Sequence, residues 1–209
     1  DTKCIAAWSP QSGWHSVGSY IEANAVPAIH DMLVWNNELY VTGNFKSLGR
    51  TDIPGVAVYD GRFWRPLGEG LTSGGSRMVV YQDELYVFGV AGMLDGAPVQ
   101  GVARWDGTRW SHAGSGLSGE FFGVKAVTVH QGKLVAAGQF DRSGQLPLKN
   151  IAQWDGAQWA PITHPRLSDS LDITSLASFG DLLLVGGSDN YYRSDDPAAE
   201  NVVLYDGVR

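Results

Sequence analysis

Short apolar runs alternate with polar, glycine-bearing stretches along this chain, and the runs recur. Leu39-Tyr40-Val41-Thr42-Gly43, Leu85-Tyr86-Val87-Phe88-Gly89, Leu134-Val135-Ala136-Ala137-Gly138 and Leu183-Leu184-Val185-Gly186-Gly187 are one phrase. Each is followed by a polar loop and a second phrase: Val56-Ala57-Val58-Tyr59-Asp60-Gly61, Val102-Ala103-Arg104-Trp105-Asp106-Gly107, Ile151-Ala152-Gln153-Trp154-Asp155-Gly156 and Val203-Leu204-Tyr205-Asp206-Gly207. The leading leucine returns after 46, 49 and 49 residues, and the Asp-Gly glycine after 46, 49 and 51. Brief apolar runs bounded by turn residues read as strands. A repeat of this length built from such strands predicts a ring or array of small sheets.

The unit from Arg77 to Gly114 shows the expected layout. Arg77–Gln82, apolar in its middle, reads as an inner strand; Gln82-Asp83 is a tight turn; Leu85–Phe88 is a second strand ending on Gly89. A longer loop through Gly92, Gly96 and Pro98 leads to a third strand, Val102–Trp105. Asp106-Gly107 has the form of a two-residue hairpin turn, in which both positions tolerate positive φ. Trp110 lies on the fourth strand, which fades into Gly114-Ser115-Gly116-Leu117. The expectation is all-β: four-stranded antiparallel meanders without helix.

One such sheet cannot bury both faces. Stacking sheets around an axis, as in a β-propeller, solves this. The aromatics suit that scheme, because they fall into series: Trp8, Tyr59, Trp105, Trp154, Tyr205; then Trp14, Trp64, Trp110, Trp159; then Trp35, Tyr81, His130, Phe179. Recurrence favours packing between sheets over ligand stacking, each ring burying roughly 150–250 Å².

These residues resemble kelch-type repeats of the galactose-oxidase-like propeller superfamily, in which an apolar strand ending in Gly-Gly precedes a loop, an aromatic-Asp step and a Trp. Gly186-Gly187 keeps the double glycine, and Gly43, Gly89 and Gly138 keep the second. The wording is closer to a variant found in bacterial secreted repeat proteins and in a fungal cortical polarity-marker family. Gly43-Asn44-Phe45 and Gly138-Gln139-Phe140 match its start, and Trp64 through Gly68-Glu69-Gly70-Leu71 and Trp110 through Gly114-Ser115-Gly116-Leu117 match its end. The resemblance covers nearly the whole chain and implies a kelch-like propeller of a secreted, periplasmic or cell-surface protein. It is unspecific for activity, since propellers host many functions.

The chain is expected to form a single segment of residues 1–209, with complete repeats at about 26–75, 76–120 and 121–171 and partial ones at 1–25 and 172–209. One third-strand copy is left over if the terminal halves are joined into a blade. An excerpt of a larger propeller or array is therefore expected ahead of a closed four-bladed ring or a self-pairing half-ring, with a partner chain as one way to complete it.

Composition narrows the function classes. The chain is 44% hydrophobic and 18% charged, with a net charge of −7 and 15 scattered Lys and Arg. Without a clustered basic face, a nucleic-acid partner is not expected. No apolar stretch reaches the roughly 18–20 residues of a membrane-spanning helix, so direct membrane insertion is not expected either. The opening Asp1-Thr2-Lys3-Cys4 carries no signal-peptide pattern, and the single cysteine, Cys4, cannot form an intrachain disulfide. No Asn-x-Ser/Thr sequon occurs.

In a meander the turns between first and second strands (Asn36-Asn37, Gln82-Asp83, Gln131-Gly132) and the Asp-Gly turns share one face. The longer second-to-third and fourth-to-first connections share the other, and recognition concentrates on such loops. Candidates there are Lys46, Arg50, Asp52, Asp95, Glu120, Lys149, His164 and Arg166, with Phe121, Phe122, Asp141, Arg142, Asp189, Tyr191, Tyr192 and Arg193 preferred as ligand-binding residues. The paired aromatics stand out because adjacent rings cannot both face one core.

Catalysis finds little support. A copper radical oxidase would need converging His and Tyr ligands and a cross-linked cysteine, whereas His15, His30, His112, His130 and His164 show no ligand spacing. Asp189, Asp195, Asp196 and Glu200 are weak calcium candidates lacking an EF-hand pattern. No Gly-x-Ser-x-Gly elbow occurs, and paired carboxylates for glycoside cleavage cannot be assigned from spacing. No cofactor is expected. The sequence thus reads as a non-catalytic scaffold or binding module for a protein or glycan. A subunit of a larger propeller assembly and a carbohydrate-binding or glycan-active domain are the alternatives.

Overall fold

The structure is a computed structural model and describes residues 5–17, 21–22, 26–48, 51–120, 123–163, 171–189 and 202–205. Among these residues there is no helix. Three four-stranded antiparallel sheets run in simple meander order. The first holds Ala28–Trp35, Glu38–Asn44, Val56–Tyr59 and Trp64–Pro66. The second holds Arg77–Tyr81, Glu84–Val90, Gly101–Trp105 and Trp110–His112. The third holds Gly123–His130, Lys133–Gln139, Ile151–Trp154 and Trp159–Pro161. A fourth sheet has three strands, Leu171–Phe179, Leu182–Asp189 and Val202–Tyr205, and an N-terminal hairpin pairs Ala6–Ser9 with Gly13–Ser16. The all-β reading and the strand positions inferred for Arg77–Gly114 hold.

The recurring leucine phrase is the second strand of each of these four sheets, and in the second and third it is buried on both faces. Leu85, Tyr86, Val87 and Phe88 are all buried, as are Leu134 through Ala137, which is why these segments read as unbroken apolar runs rather than alternations. The glycine that closes the phrase answers to a β-bulge in the neighbouring strand. Register shifts fall between Ile29 and Asp31, Val124 and Ala126, and Ile173 and Ser175. A Cβ on Gly43, Gly138 or Gly187 would lie 2.1, 2.1 or 2.4 Å from the carbonyl oxygen of Ala28, Gly123 or Asp172, so no larger residue fits.

The chain packs as two compact units, Asp1–Val99 with Arg104–Ser111, and Gln100–Ala103 with His112–Arg209. In the first, Ile5, Val41, Phe45, Leu48, Ile53, Ala57 and Trp64 form a core cluster. The buried Thr42 hydroxyl accepts from Gly75 N–H at 2.6 Å and donates to the Gly55 carbonyl at 3.0 Å. Asp31 accepts from Met78 N–H at 2.8 Å, and His30 Nδ1 lies 3.0 Å from the Gly75 carbonyl. In the second unit the core joins Val135, Ala137, Ile151, Ile162, Ile173, Leu183 and Val185. Lys125 reaches Asp172 at 2.6 Å, and His130 Nδ1 lies 2.9 Å from Ser178 Oγ. His30 and Lys125 are both bulge residues, so the bulge aims a long polar side chain at the start of the following sheet.

Three expectations are corrected. The Asp-Gly pairs that follow the third strands, Asp60-Gly61, Asp106-Gly107 and Asp155-Gly156, are not two-residue turns. Tyr59 pairs with Trp64 and Trp154 with Trp159, leaving four-residue loops in which the Asp carboxylate caps backbone N–H groups. Asp106 accepts from Thr108 and Arg109, Asp60 from Arg62 and Phe63, and Asp155 from Ala157 and Gln158. Among the described residues, the two-residue turns with positive φ at both positions are Asn36-Asn37, Gln82-Asp83 and Gln131-Gly132 between first and second strands, and Asp95-Gly96 in a small ribbon. Secondly, the long second-to-third loops carry small ribbons: Ser47–Leu48 with Thr51–Asp52, Met93–Leu94 with Ala97–Pro98, and Arg142–Ser143 with Leu146–Pro147. Thirdly, the aromatic series are not uniformly buried. Trp64, Trp105, Trp110, Trp154 and Trp159 are buried, but Trp8, Trp14 and Phe179 are 58, 75 and 74% exposed. Burial requires a neighbouring repeat under the ring, and none of the described residues covers these three.

Candidate functional site

In each unit the second-to-third loop meets the connection that leaves a fourth strand, as the loop grouping implies. In the second unit a shallow groove is lined by Gly119, Glu120, Gln139, Phe140, Asp141 and Asn150. Its frame is backbone: Ser118 N–H donates to the Arg142 carbonyl at 3.0 Å and Asp141 N–H to the Ser118 carbonyl at 3.0 Å. A Cβ on Gly119 would stand 3.1 Å from Asp141 N and Phe140 Cα, so the connection crosses the loop closely and a larger residue would have to push it back by a few tenths of an ångström. Phe140 is buried and forms the floor; Glu120, Gln139 and Asp141 are exposed on the rim.

Asp141 and Arg142 are brought together as a pair. Arg142 Nε donates to Asp141 Oδ1 at 2.6 Å and Nη2 to Oδ2 at 3.1 Å. That hydrogen-bonded guanidinium lowers the Asp141 carboxyl below its ordinary range and raises Arg142. The groove is therefore edged by an ionised carboxylate already engaged by its neighbour, with Glu120 and the carboxamides of Gln139 and Asn150 beside it.

The first unit has a counterpart at the same sequence phrase. Asn44, Phe45 and Lys46 line a groove together with Pro54, Ser73 and Gly74, with Phe45 again buried and Asn44 Nδ2 donating to the Val26 carbonyl at 2.9 Å. Gly-Asn-Phe and Gly-Gln-Phe thus set a buried ring beneath an exposed carboxamide in both units. Gln139, Asn150 and Asn44 were not singled out from sequence, although the recurring triplet was the signal that could have found Asn44 and Gln139.

Other candidates do not converge with this groove. Asp52 is exposed on its ribbon strand, and Asp95 occupies a ribbon turn with φ 50°. Lys149 is exposed, its carbonyl accepting from Ile151 N–H at 2.7 Å. Asp189 ends the strand Leu182–Asp189. Arg50, Phe121, Phe122, His164, Arg166, Tyr191, Tyr192, Arg193, Asp195, Asp196 and Glu200 lie outside the described residues.

No protein-family model matches the chain, and no curated protein matches it. Solved structures do. The computationally designed Ika8 protein superposes with a TM-score of 0.51 at 14% identity, covering 87% of this chain and 46% of that one. The likeness is one of fold. The designed Ika4 protein gives 0.48 at 13% identity, covering 90% of this chain and 98% of that one. PorZ, a surface component of the type-IX secretion system of Porphyromonas gingivalis, gives 0.42 at 18% identity, covering 82% of this chain and 24% of PorZ.

Proposed function

We propose that the chain is a kelch-like β-propeller segment of a secreted, periplasmic or cell-surface protein that serves as a non-catalytic binding scaffold, recognising a protein or glycan through its long-loop face. The observation that carries this reading is the repeated use of the Gly-Asn/Gln-Phe phrase to build a groove in each unit. The conspicuous tryptophans of the repeats are mostly consumed in packing, whereas the groove rims present carboxamides, carboxylates and one lysine, groups that bond hydroxyl-rich or peptide ligands.

The test is a titration of the isotope-labelled protein with neutral oligosaccharides and with unstructured peptides, followed by amide and carboxamide shifts. Saturable shifts at Gln139, Asn150 and Asn44, abolished by Gln139→Ala with Asn150→Ala for the second-unit groove, support the reading. Binding that these substitutions leave unchanged removes this face from consideration.

A further inference from the structure

Trp8 and Trp14 face each other across the N-terminal hairpin, the register that Trp154 and Trp159 adopt in the third sheet. In two later repeats the corresponding pair has a seat. Trp110 Nε1 donates to the Leu67 carbonyl, and Trp105 lies over Gly68, where a Cβ would come 2.4 Å from its Cζ3. Trp159 Nε1 donates to the Ala113 carbonyl at 3.2 Å, and Trp154 lies over Gly114, where a Cβ would come 2.8 Å from its Cζ3. Each seat is the end of the preceding repeat: an aliphatic residue offering its carbonyl, then a glycine with φ of +68° or +59°. Trp105, Trp110, Trp154 and Trp159 are 6% exposed or less, against 58 and 75% for Trp8 and Trp14.

We propose that the Trp8–Trp14 pair is a docking face for a further repeat of this same kind, one whose fourth strand ends in an aliphatic-glycine step. This rests on reading the chain as stacked repeats. The occupant is defined by what the seated pairs touch: a carbonyl for the indole N–H of Trp14 and a glycine under the ring of Trp8. A second copy of the chain does not supply it from the described residues. Leu67-Gly68 and Ala113-Gly114 already carry their own tryptophans, and the equivalent step after the third sheet is Ile162-Thr163, where a side chain fills the space that glycine leaves. Trp64 packs in one cluster with Ile5, beside the hairpin, but without the indole bond of the later repeats. It occupies the Trp110 position, yet its buried Nε1 has no partner; the repeat assigns that role to the Val17 carbonyl.

The experiment lengthens the protein with a second copy of its own residues 26–101 placed ahead of Ile5, which sets the duplicated Leu67-Gly68 one repeat before Trp8 and Trp14. Indole N–H exchange is read by NMR, with Trp8→Phe and Trp14→Phe for assignment. Both indoles are expected to change from fast-exchanging to protected and to become inaccessible to acrylamide. Gly68→Val in the duplicated copy only is expected to abolish that protection while Trp110 and Trp159 stay protected. Trp14→Ser is expected to lower the melting midpoint of the lengthened chain and leave that of the original chain unchanged.

Trp8 and Trp14 remaining solvent-accessible, or loss of Trp110 protection in the lengthened chain, overturns the proposal. Concentration-dependent dimerisation of the original chain that buries Trp14 overturns the stated occupant in favour of a second copy. Failure of oligosaccharide or peptide binding leaves these readouts untouched, so the two readings fail separately.

Discussion

The indole N–H of Trp159 donates to the Ala113 carbonyl at 3.2 Å, joining the fourth strand of one repeat to the last residues of the repeat before it. Trp110 makes the same bond to Leu67. Both acceptors lie in the short segment where the fourth strand loses its partners; the Leu67 carbonyl takes the indole there, and the Ala113 carbonyl takes it beside Gly116 N–H at 3.0 Å. Trp64 holds the same place without an acceptor.

That difference orders two substitutions. Trp159→Phe removes one of two donors to the buried Ala113 carbonyl, which keeps Gly116 N–H at 3.0 Å, and so adds the loss of one hydrogen bond, about 0.5–1.5 kcal/mol, to the loss of ring area. Trp64→Phe loses similar ring area but removes an unsatisfied donor. Urea unfolding should therefore show Trp159→Phe as the more destabilising by about 1–2 kcal/mol. Equal losses, or the reverse order, count against a structural role for the indole bond.

Glycines separate in the same way. Gly107 has φ +97° with open space around a Cβ, whereas Gly114 has φ +59° and would place its Cβ 2.8 Å from Trp154. Gly107→Ala should cost only the backbone strain, about 1 kcal/mol. Gly114→Ala adds the displacement of a buried indole and should cost about 2–4 kcal/mol. Chemical denaturation of both variants decides; comparable losses would place the strain in the backbone alone.

The phrases that repeat most faithfully were the ones whose structure could be read. Leu85–Phe88 looks like a strand because every one of its side chains is buried, and Gly43 or Gly138 is fixed by a neighbouring carbonyl. Asp106-Gly107 misled because its glycine does take positive φ, while the aspartate works through its side chain, capping N–H groups two and three residues on. Trp8 and Trp105 are the same residue in the same phrase, and local pattern cannot tell them apart: burial depends on what another repeat presents. The groove residues Gln139 and Asn150 were equally invisible one at a time, because a single carboxamide, exposed at 139 and half-buried at 150, has no signature until a buried phenylalanine and a glycine crossing are placed around it.

The capping aspartates predict acid sensitivity. The Asp106 carboxyl is lowered to about 2 by the Thr108 hydroxyl first and then by the N–H groups of Arg109 and Thr108. Asp60 and Asp155 are lowered by the N–H groups of Phe63 and Arg62, and of Gln158 and Ala157. A carboxyl whose folded value lies below its unfolded one, about 3.9, binds more protons when unfolded. Its contribution is complete above about pH 5 and disappears as pH falls through the folded value. Stability measured by urea unfolding should decline between about pH 4 and 2, and Asp106→Asn should flatten part of that decline. An unchanged pH profile in the variant would show that the loop is held by its glycine rather than by the carboxylate.

Thr42 tests how the first two sheets are joined within the first unit. Its hydroxyl is fully buried and is both donor to Gly55 and acceptor for Gly75, which opens the approach to the strand Arg77–Tyr81. Thr42→Val keeps the shape and removes both bonds; the Gly55 carbonyl retains Gly43 N–H at 3.0 Å, but the buried Gly75 N–H is left unpaired, which costs about 1–3 kcal/mol. Thr42→Ser keeps the hydroxyl and loses one methyl, a change of about 0.5–1.5 kcal/mol. Thr42→Val should therefore be the more destabilising by about 1 kcal/mol. Amide exchange should show why: Gly75 N–H loses protection in Thr42→Val and retains it in Thr42→Ser. If Gly75 exchanges alike in both, the hydroxyl is not what holds the second sheet to the first.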